Sequence, residues 1–125
     1  LEPLLSAHGI ALVRLIAPTS VPARLPLLAD KANGYLYYVS ITGITGAASA
    51  TATAVAENIA AIRAASPLPV CVGFGIKTPQ DVANVAPLAD GVVVGSAIVQ
   101  HIAQSGGDVA SISAYVRTLA DACRR

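Results

Sequence analysis

The sequence predicts an α/β fold of four βα units, half of an eight-stranded (β/α)8 barrel, and three observations carry that prediction. Strand and helix patterns alternate along the chain, which implies parallel strands joined by right-handed crossovers. The strand segments are almost continuously apolar, as strands buried on both faces are. The length of 125 residues is about half of the ~250 typical of a TIM barrel, and the last unit carries an extra short helix of the kind such barrels use beside a phosphate site. A small doubly wound sheet is the other architecture that four βα units can build; the length and the extra helix favour the half-barrel. No linker or low-complexity tract interrupts the chain, so residues 1–125 read as a single segment.

The elements follow in order. "PLLSAHG" ends a helix, with Gly9 as its left-handed stop. "IALVRLIA" (10–17) is the first strand. Ser20 is a candidate N-cap, and Pro22 lies near the first turn of a helix that runs through "ARLPLLADKA" to Asn33-Gly34, with Pro26 forcing a short or kinked start. "YLYYVS" (35–40), aromatic and β-branched, is the second strand. "ITGITGAASAT" is a long loop of small and polar residues, followed by a helix over 53–65. "LPVCVG" (68–73) is the third strand. Thr78-Pro79-Gln80-Asp81 approximates a capping box with proline at the first helical position, and the short helix it opens is closed by Pro87. "GVVVG" (91–95) is the fourth strand. A short helix covers 96–104, Gly106-Gly107 interrupts it, and Asp108 opens the last helix.

Composition narrows the function. The chain is 54% hydrophobic and 12% charged, with a net charge of +1 and no basic cluster, which argues against nucleic acid as a partner. No apolar run approaches the roughly 18 residues that span a membrane, and no stretch has the pattern of a secretory signal. Cys71 and Cys123 lie far apart and read as free, buried thiols of a reducing compartment. The chain contains no methionine and begins at Leu1, which points to a piece of something longer.

The chemistry sits at the strand ends. Gly95-Ser96 closes the fourth strand directly against a helix start. Glycine there lets a ligand approach the backbone, the first helical N–H groups and the dipole favour an anion, and Ser96 adds a hydroxyl. A tight βα turn with an N-cap is the plainer account of the same residues. Gly73 and Gly75 bracket Phe74 at the end of the neighbouring strand and offer a second edge, so a phosphate ester between the two turns is the favoured reading. The loop "SITGITGAAS", with hinges at Gly43 and Gly46 and hydroxyls on Thr42 and Thr45, is longer than the usual 2–6 residues of a βα loop; it reads as a lid or as a surface loop of small residues. Tyr37 shares a strand face with Tyr35 and Val39, while Leu36, Tyr38 and Ser40 take the other; one set lines the barrel interior, and Tyr37 is either core or part of a site.

None of the carboxylates, Glu2, Asp30, Glu57, Asp81, Asp90, Asp108 and Asp121, falls at the carboxyl end of a strand, where barrel chemistry is placed. His8 and His101 lie in helices and read as surface or packing residues. No nucleophile–base arrangement and no metal-ligand spacing is present. The expected catalytic set is therefore empty, and no metal is expected. Arg14, in mid-strand, needs an anionic partner, and no carboxylate is clearly placed to reach it.

"LIAPTS", "YYVSITGITGA", "LPVCVGFGIKTPQDV" and "ADGVVVGSAIV" together resemble the tryptophan synthase alpha chain, from about Gly9 to the end and in the same order. The resemblance implies strands 5 to 8, the carboxy-terminal half of the barrel. It implies a cytoplasmic lyase of tryptophan biosynthesis that cleaves indole-3-glycerol phosphate into indole and glyceraldehyde 3-phosphate. It further implies a beta chain as partner, to which pyridoxal phosphate belongs, and no cofactor in this chain. Gly75, Gly95 and Ser96 would bind the substrate phosphate. Phe74 would line the site, Ile16 and Val93 would flank the indole, and Tyr37 would face the reacting centre. Gly43, Thr45 and Gly46 would belong to the closing loop. The glutamate and aspartate that perform acid–base catalysis in the family lie on strands 2 and 3 and their loops and have no counterpart here, so the segment alone is expected to be inactive. Ile41 stands where many relatives carry arginine. A non-catalytic phosphate-binding half-barrel that self-assembles is the alternative; another phosphate-binding barrel, such as an isomerase of histidine biosynthesis, accounts poorly for the lid motif. Either the missing amino-terminal half or a second copy of the chain would complete the barrel.

Overall fold

The computed structural model describes residues 2–20, 24–30, 32–40, 48–73 and 75–124. Four parallel strands, β1 (Arg14–Ile16), β2 (Leu36–Val39), β3 (Val70–Gly73) and β4 (Gly91–Val93), form one sheet in sequential order. Around them run α1 (Glu2–Ala7), α2 (Leu25–Asp30), α3 (Ala48–Ala65), α4 (Pro79–Val85), α5 (Ser96–Gln104) and α6 (Val109–Ala122). Sequential order with parallel pairing is the half-barrel topology that the alternation predicts.

The register assigns every strand residue to a face. Ile16 pairs with Tyr38, Tyr38 with Val72, and Val72 with Val92; Leu36 pairs with Val70. These side chains pack against Leu25 of α2, Ile59 and Ile62 of α3, Val82 and Val85 of α4 and Leu119 of α6 to make the core. The Tyr38 hydroxyl, fully buried, accepts a 2.8 Å hydrogen bond from Asn58 Nδ2, which offsets the cost of removing it from water. The other face carries Leu15, Tyr37 and Cys71 in one ladder row and Val39, Gly73 and Val93 in the next. None of the side chains on it belongs to the core or packs against it, and Leu15 is 64% exposed. The expectation of two buried faces thus holds for one face only. The second is the concave side that a closed barrel would line.

Several local readings are confirmed with their geometry. Gly9 takes φ +67°, and the N–H of Ile10 reaches back to the carbonyl of Leu5 at 2.9 Å, the Schellman closure of α1. Asp108 caps α6 through the amides of Ala110 and Ser111. Other readings shift. β1 is three residues long rather than eight, because β2 offers ladder partners only to residues 14–16. Pro18–Ser20 form a 3-10 turn, and the Ser20 carbonyl accepts from the amide of Arg24 at 3.2 Å, while residues 21–23, where the expected helix would open, lie outside the described residues. α3 begins at Ala48, inside the stretch read as loop, because alanine is the strongest helix former. Arg14 does have a partner in the chain: its guanidinium pairs with Glu2 of α1, although Nε is buried with no partner among the described residues. Cys71 and Cys123 are free, as expected, but Cys123 is exposed and Cys71 only half-buried.

The capping box of α4 is complete. The Thr78 hydroxyl accepts from the Asp81 amide at 3.1 Å, and Asp81 Oδ2 accepts from the amides of Thr78 at 2.9 Å and Lys77 at 3.1 Å. Partial burial pushes the Asp81 carboxyl up. The hydrogen bonds from Lys77 and Thr78, with the Lys77 charge, outweigh it and hold the group below its ordinary 3.8. A carboxyl lowered on folding stabilises the fold above its unfolded pKa, and that contribution is lost as pH falls through the folded value. Asp81→Ala therefore lowers stability by about 1 kcal/mol at pH 7. Thermal unfolding followed across pH checks this: the gap between variant and parent closes as pH drops below the ordinary carboxylate range, and a gap that persists unchanged to pH 2 would contradict it.

Candidate functional site

The site is built where β3 and β4 end. Gly73 pairs with Val93 in parallel register. Two residues further along each strand stand Gly75 and Gly95, so the two turns leave the sheet side by side at its carboxyl edge. Gly75 takes φ +69°, a left-handed conformation that side chains rarely adopt. Ile76, 3% exposed, anchors that turn in the core. Gly95 is the N-cap residue of α5, and no side chain caps the helix there. Its carbonyl accepts from the amides of Ile98 and Val99 at 3.0 and 3.1 Å, whereas the amides that open the helix, at Ser96 and Ala97, have no acceptor within it. A Cβ built on Gly95 meets no atom of the described residues beyond its chain neighbours within 4 Å. Exposed glycine, exposed serine and helix start together leave these first amides open at the carboxyl edge of the sheet, a candidate cradle of donors next to the strand that leads to Gly75.

Beneath the cradle lies the uncovered face. The Tyr37 hydroxyl leans over Gly73: a Cβ there would collide with it and would stand 2.9 Å from both Cβ and the carbonyl oxygen of Val93. The absent side chain at Gly73 is what seats Tyr37 against Val93, two of the residues expected in the pocket. Burial, and after it the neighbouring Tyr35, pushes the Tyr37 phenol up, so at neutral pH it is a hydrogen-bond donor and not a base. In the same way burial, then the Asp90 carboxylate, raises the Cys71 thiol, which disfavours the nucleophilic thiolate. Ile16 does not join this surface. Its ladder partner is Tyr38, and it is fully buried on the helix-packed face; strand parity brings Leu15 to the concave side in its place. Phe74, Gly43, Thr45 and Gly46 lie outside the described residues.

The carboxylates are engaged elsewhere or stand apart. Asp81 and Asp108 cap helices. Asp90 stands at the opposite, amino end of β4, where it accepts from the Val70 amide at 2.9 Å and from Arg63 at 3.0 Å. Glu2 pairs with Arg14 and Asp121 with Arg124. Asp30 ends α2 and Glu57 is exposed midway along α3. No group of three or more metal-ligating side chains occurs among the described residues, and no described helix is long and apolar enough to cross a membrane. A contact that sequence reasoning missed lies behind the cradle: the Tyr115 hydroxyl of α6 donates to the Lys77 carbonyl at 2.6 Å.

Four parallel βα units with helices on one face, and a donor cradle at the carboxyl edge of the sheet, define one half of a (β/α)8 barrel of the kind that enzymes use. The chain belongs to the tryptophan synthase alpha chain family, whose model matches residues 1–124. The tryptophan synthase alpha chain of Phenylobacterium zucineum is 48% identical over 124 residues, covering 96% of this chain and 45% of that protein. That of Novosphingobium aromaticivorans is 46% identical over 110 residues, covering 88% and 41%. Among solved structures, Mycobacterium tuberculosis tryptophan synthase superposes with a TM-score of 0.83 at 32% identity, over 99% of this chain and 46% of that one. The Campylobacter jejuni alpha subunit gives 0.83 at 33% identity, over 92% and 46%. The chain thus spans less than half the length of the curated relatives it matches.

Proposed function

We propose that this chain is the carboxy-terminal half of the barrel of a tryptophan synthase alpha subunit, and that it supplies the phosphate cradle and one wall of the pocket in which indole-3-glycerol phosphate is cleaved to indole and glyceraldehyde 3-phosphate. Family membership supports the reaction class. The observation that carries the site is the paired register of Gly73 and Val93, which sets the Gly75 turn beside the open first amides of α5. Those amides and the Ser96 hydroxyl hold the phosphate; the uncapped helix end favours its charge. Val93 flanks the indole portion, Tyr37 faces the reacting centre, and Phe74 lines the site. The lid of Gly43, Thr45 and Gly46 excludes water. Proton transfer falls to carboxylates outside this chain, and the indole passes to a beta chain.

Titration with inorganic phosphate, followed at the amides of Gly75, Gly95 and Ser96 by NMR, tests the cradle. Gly95→Ala meets no atom of the described residues beyond its chain neighbours but stands where the anion approaches, so the fold survives while the phosphate Kd rises about tenfold, roughly 1.4 kcal/mol. Ser96→Ala, losing one hydrogen bond, raises it about fivefold. Phosphate-induced shifts confined to other residues, or an unchanged Kd in Gly95→Ala, would contradict the reading.

A further inference from the structure

The two edges of the cradle are carried by different strands, and one side chain touches the supports of both. Tyr115 of α6 donates to the Lys77 carbonyl, two residues beyond Gly75. The face of the same ring stacks on His101, with centroids 4.5 Å apart and planes 21° from parallel. His101 lies on α5, five residues beyond Ser96, and its Nε2 is 3.0 Å from Ser111 Oγ of α6. Lys77 is gripped from the other side as well, since its amide donates to Asp81.

We propose that Tyr115, backed by His101 and Ser111, is a positioning residue that fixes the separation between the Gly75 turn and the first amides of α5 and thereby sets the affinity of the cradle for a phosphate group. The proposal rests on the phosphate reading above. Its physical basis is that backbone donors hold an anion only within a narrow distance range, so two independently carried turns must be held in mutual register before the ligand arrives, or binding must order them. The stack fixes α5 against α6, and the hydroxyl ties the turn to that same ring. No part of this strut touches the ligand.

The test compares two hydroxyl deletions on α6 in the protein that carries this chain. Tyr115→Phe keeps the stack and frees the Lys77 carbonyl. Thr118→Val removes the 2.7 Å bond that the Thr118 hydroxyl makes to the Tyr115 carbonyl, a comparable loss that leaves the turn untouched. Tyr115→Phe is expected to raise the Kd for inorganic phosphate three- to tenfold and to speed amide hydrogen exchange at Ile76 and Lys77. Thr118→Val is expected to change both less than twofold, although unfolding midpoints fall alike. Equal effects of the two variants on phosphate affinity would overturn the strut. Should the parent protein show no phosphate response at these amides, the phosphate reading itself fails, and with it the functional role assigned to Tyr115; faster exchange at Lys77 in Tyr115→Phe would then mark a tie in the fold alone. Phosphate binding with unchanged exchange at Lys77 in Tyr115→Phe would sink the strut while leaving the cradle standing.

Discussion

Purified alone, the 125-residue chain is expected to release no measurable indole from indole-3-glycerol phosphate. Cleaving the bond between the indole ring and the glycerol phosphate side chain requires proton transfers, and each positioned acid or base contributes about 10²–10⁴ in rate. Every carboxylate of the chain is accounted for without one that serves. Asp81 is the candidate whose helix starts at the carboxyl end of β3, yet its Oδ2 is held by two amides and its carboxyl stays ionised below the ordinary range, so it neither carries a proton to donate at neutral pH nor readily accepts one. Asp90 stands at the far end of the sheet. The phenol of Tyr37 is held protonated. Even with the proposed phosphate cradle and pocket wall, a chain without proton transfer would bind and not turn over. A sensitive indole assay on the pure chain checks this, with a second arm in which a polypeptide bearing the glutamate and aspartate strands of the family is added. Activity appears only in that second arm. Indole release by the chain alone, abolished by Asp81→Asn or by any other change to its own carboxylates, would overturn the assignment of proton transfer to residues outside it.

The fold was legible because its signals are local. Apolar runs bounded by glycine and proline marked β2, β3 and β4, and the Thr78–Asp81 spacing marked the start of α4 to the residue. Gly9 marked the end of α1 because only a left-handed residue closes a helix in that way. What escaped depends on partners distant in the chain. The length of β1 is set by where β2 offers hydrogen bonds, not by how many apolar residues surround it. Glu2 pairs with Arg14 across a loop between α1 and β1, and no periodicity encodes that pairing.

The candidate site divides along the same line. The turn at Gly75 and the helix start at Gly95 and Ser96 were readable because a positive φ and a helix start beside a strand end leave marks on sequence. The parity of β1 did not. Resemblance pointed to Ile16, but whether Ile16 or Leu15 shares a face with Tyr37 is decided by inter-strand register, where a slip of one residue reverses every assignment. The Tyr115–Lys77 bond spans 38 positions, and an aromatic residue in an amphipathic helix carries no sign that its hydroxyl ties down a distant turn. Gly73 read as the strand's closing residue beside a ligand turn, and nothing in the sequence signalled that its missing side chain leaves room for the hydroxyl of Tyr37.

The chain on its own is expected to self-associate. A folded monomer of 12.5 kDa should expose about 6,200 Å², yet this one exposes 7406 Å². The excess, on the order of 1,200 Å², exceeds the ~800 Å² that each partner contributes to a standard stable interface. Part of the exposed apolar surface lies on the uncovered sheet face, where Leu15 is 64% exposed. The concave face presents Leu15, Tyr37, Val39 and Val93 with no described helix over them. β1 and β4 each have one edge without a ladder partner among the described residues, and unpaired edges of apolar strands template further pairing. Beside β4, an open apolar groove of about 300 Å³ runs between Val92, Val94, Ile98, Val116 and Leu119. With 12% of residues charged, little repulsion keeps such surfaces apart. Two copies joined around a twofold axis would bring edge to edge and face to face, approximating a closed barrel. Sedimentation velocity over a hundredfold range of concentration is expected to show a dimer or larger species that dissociates on dilution, and an added amino-terminal half-barrel is expected to replace it with a one-to-one complex. A compact monomer of 12.5 kDa at every concentration, unfolding cooperatively, would mean that the concave face is stable in water by itself, and the prediction would fall.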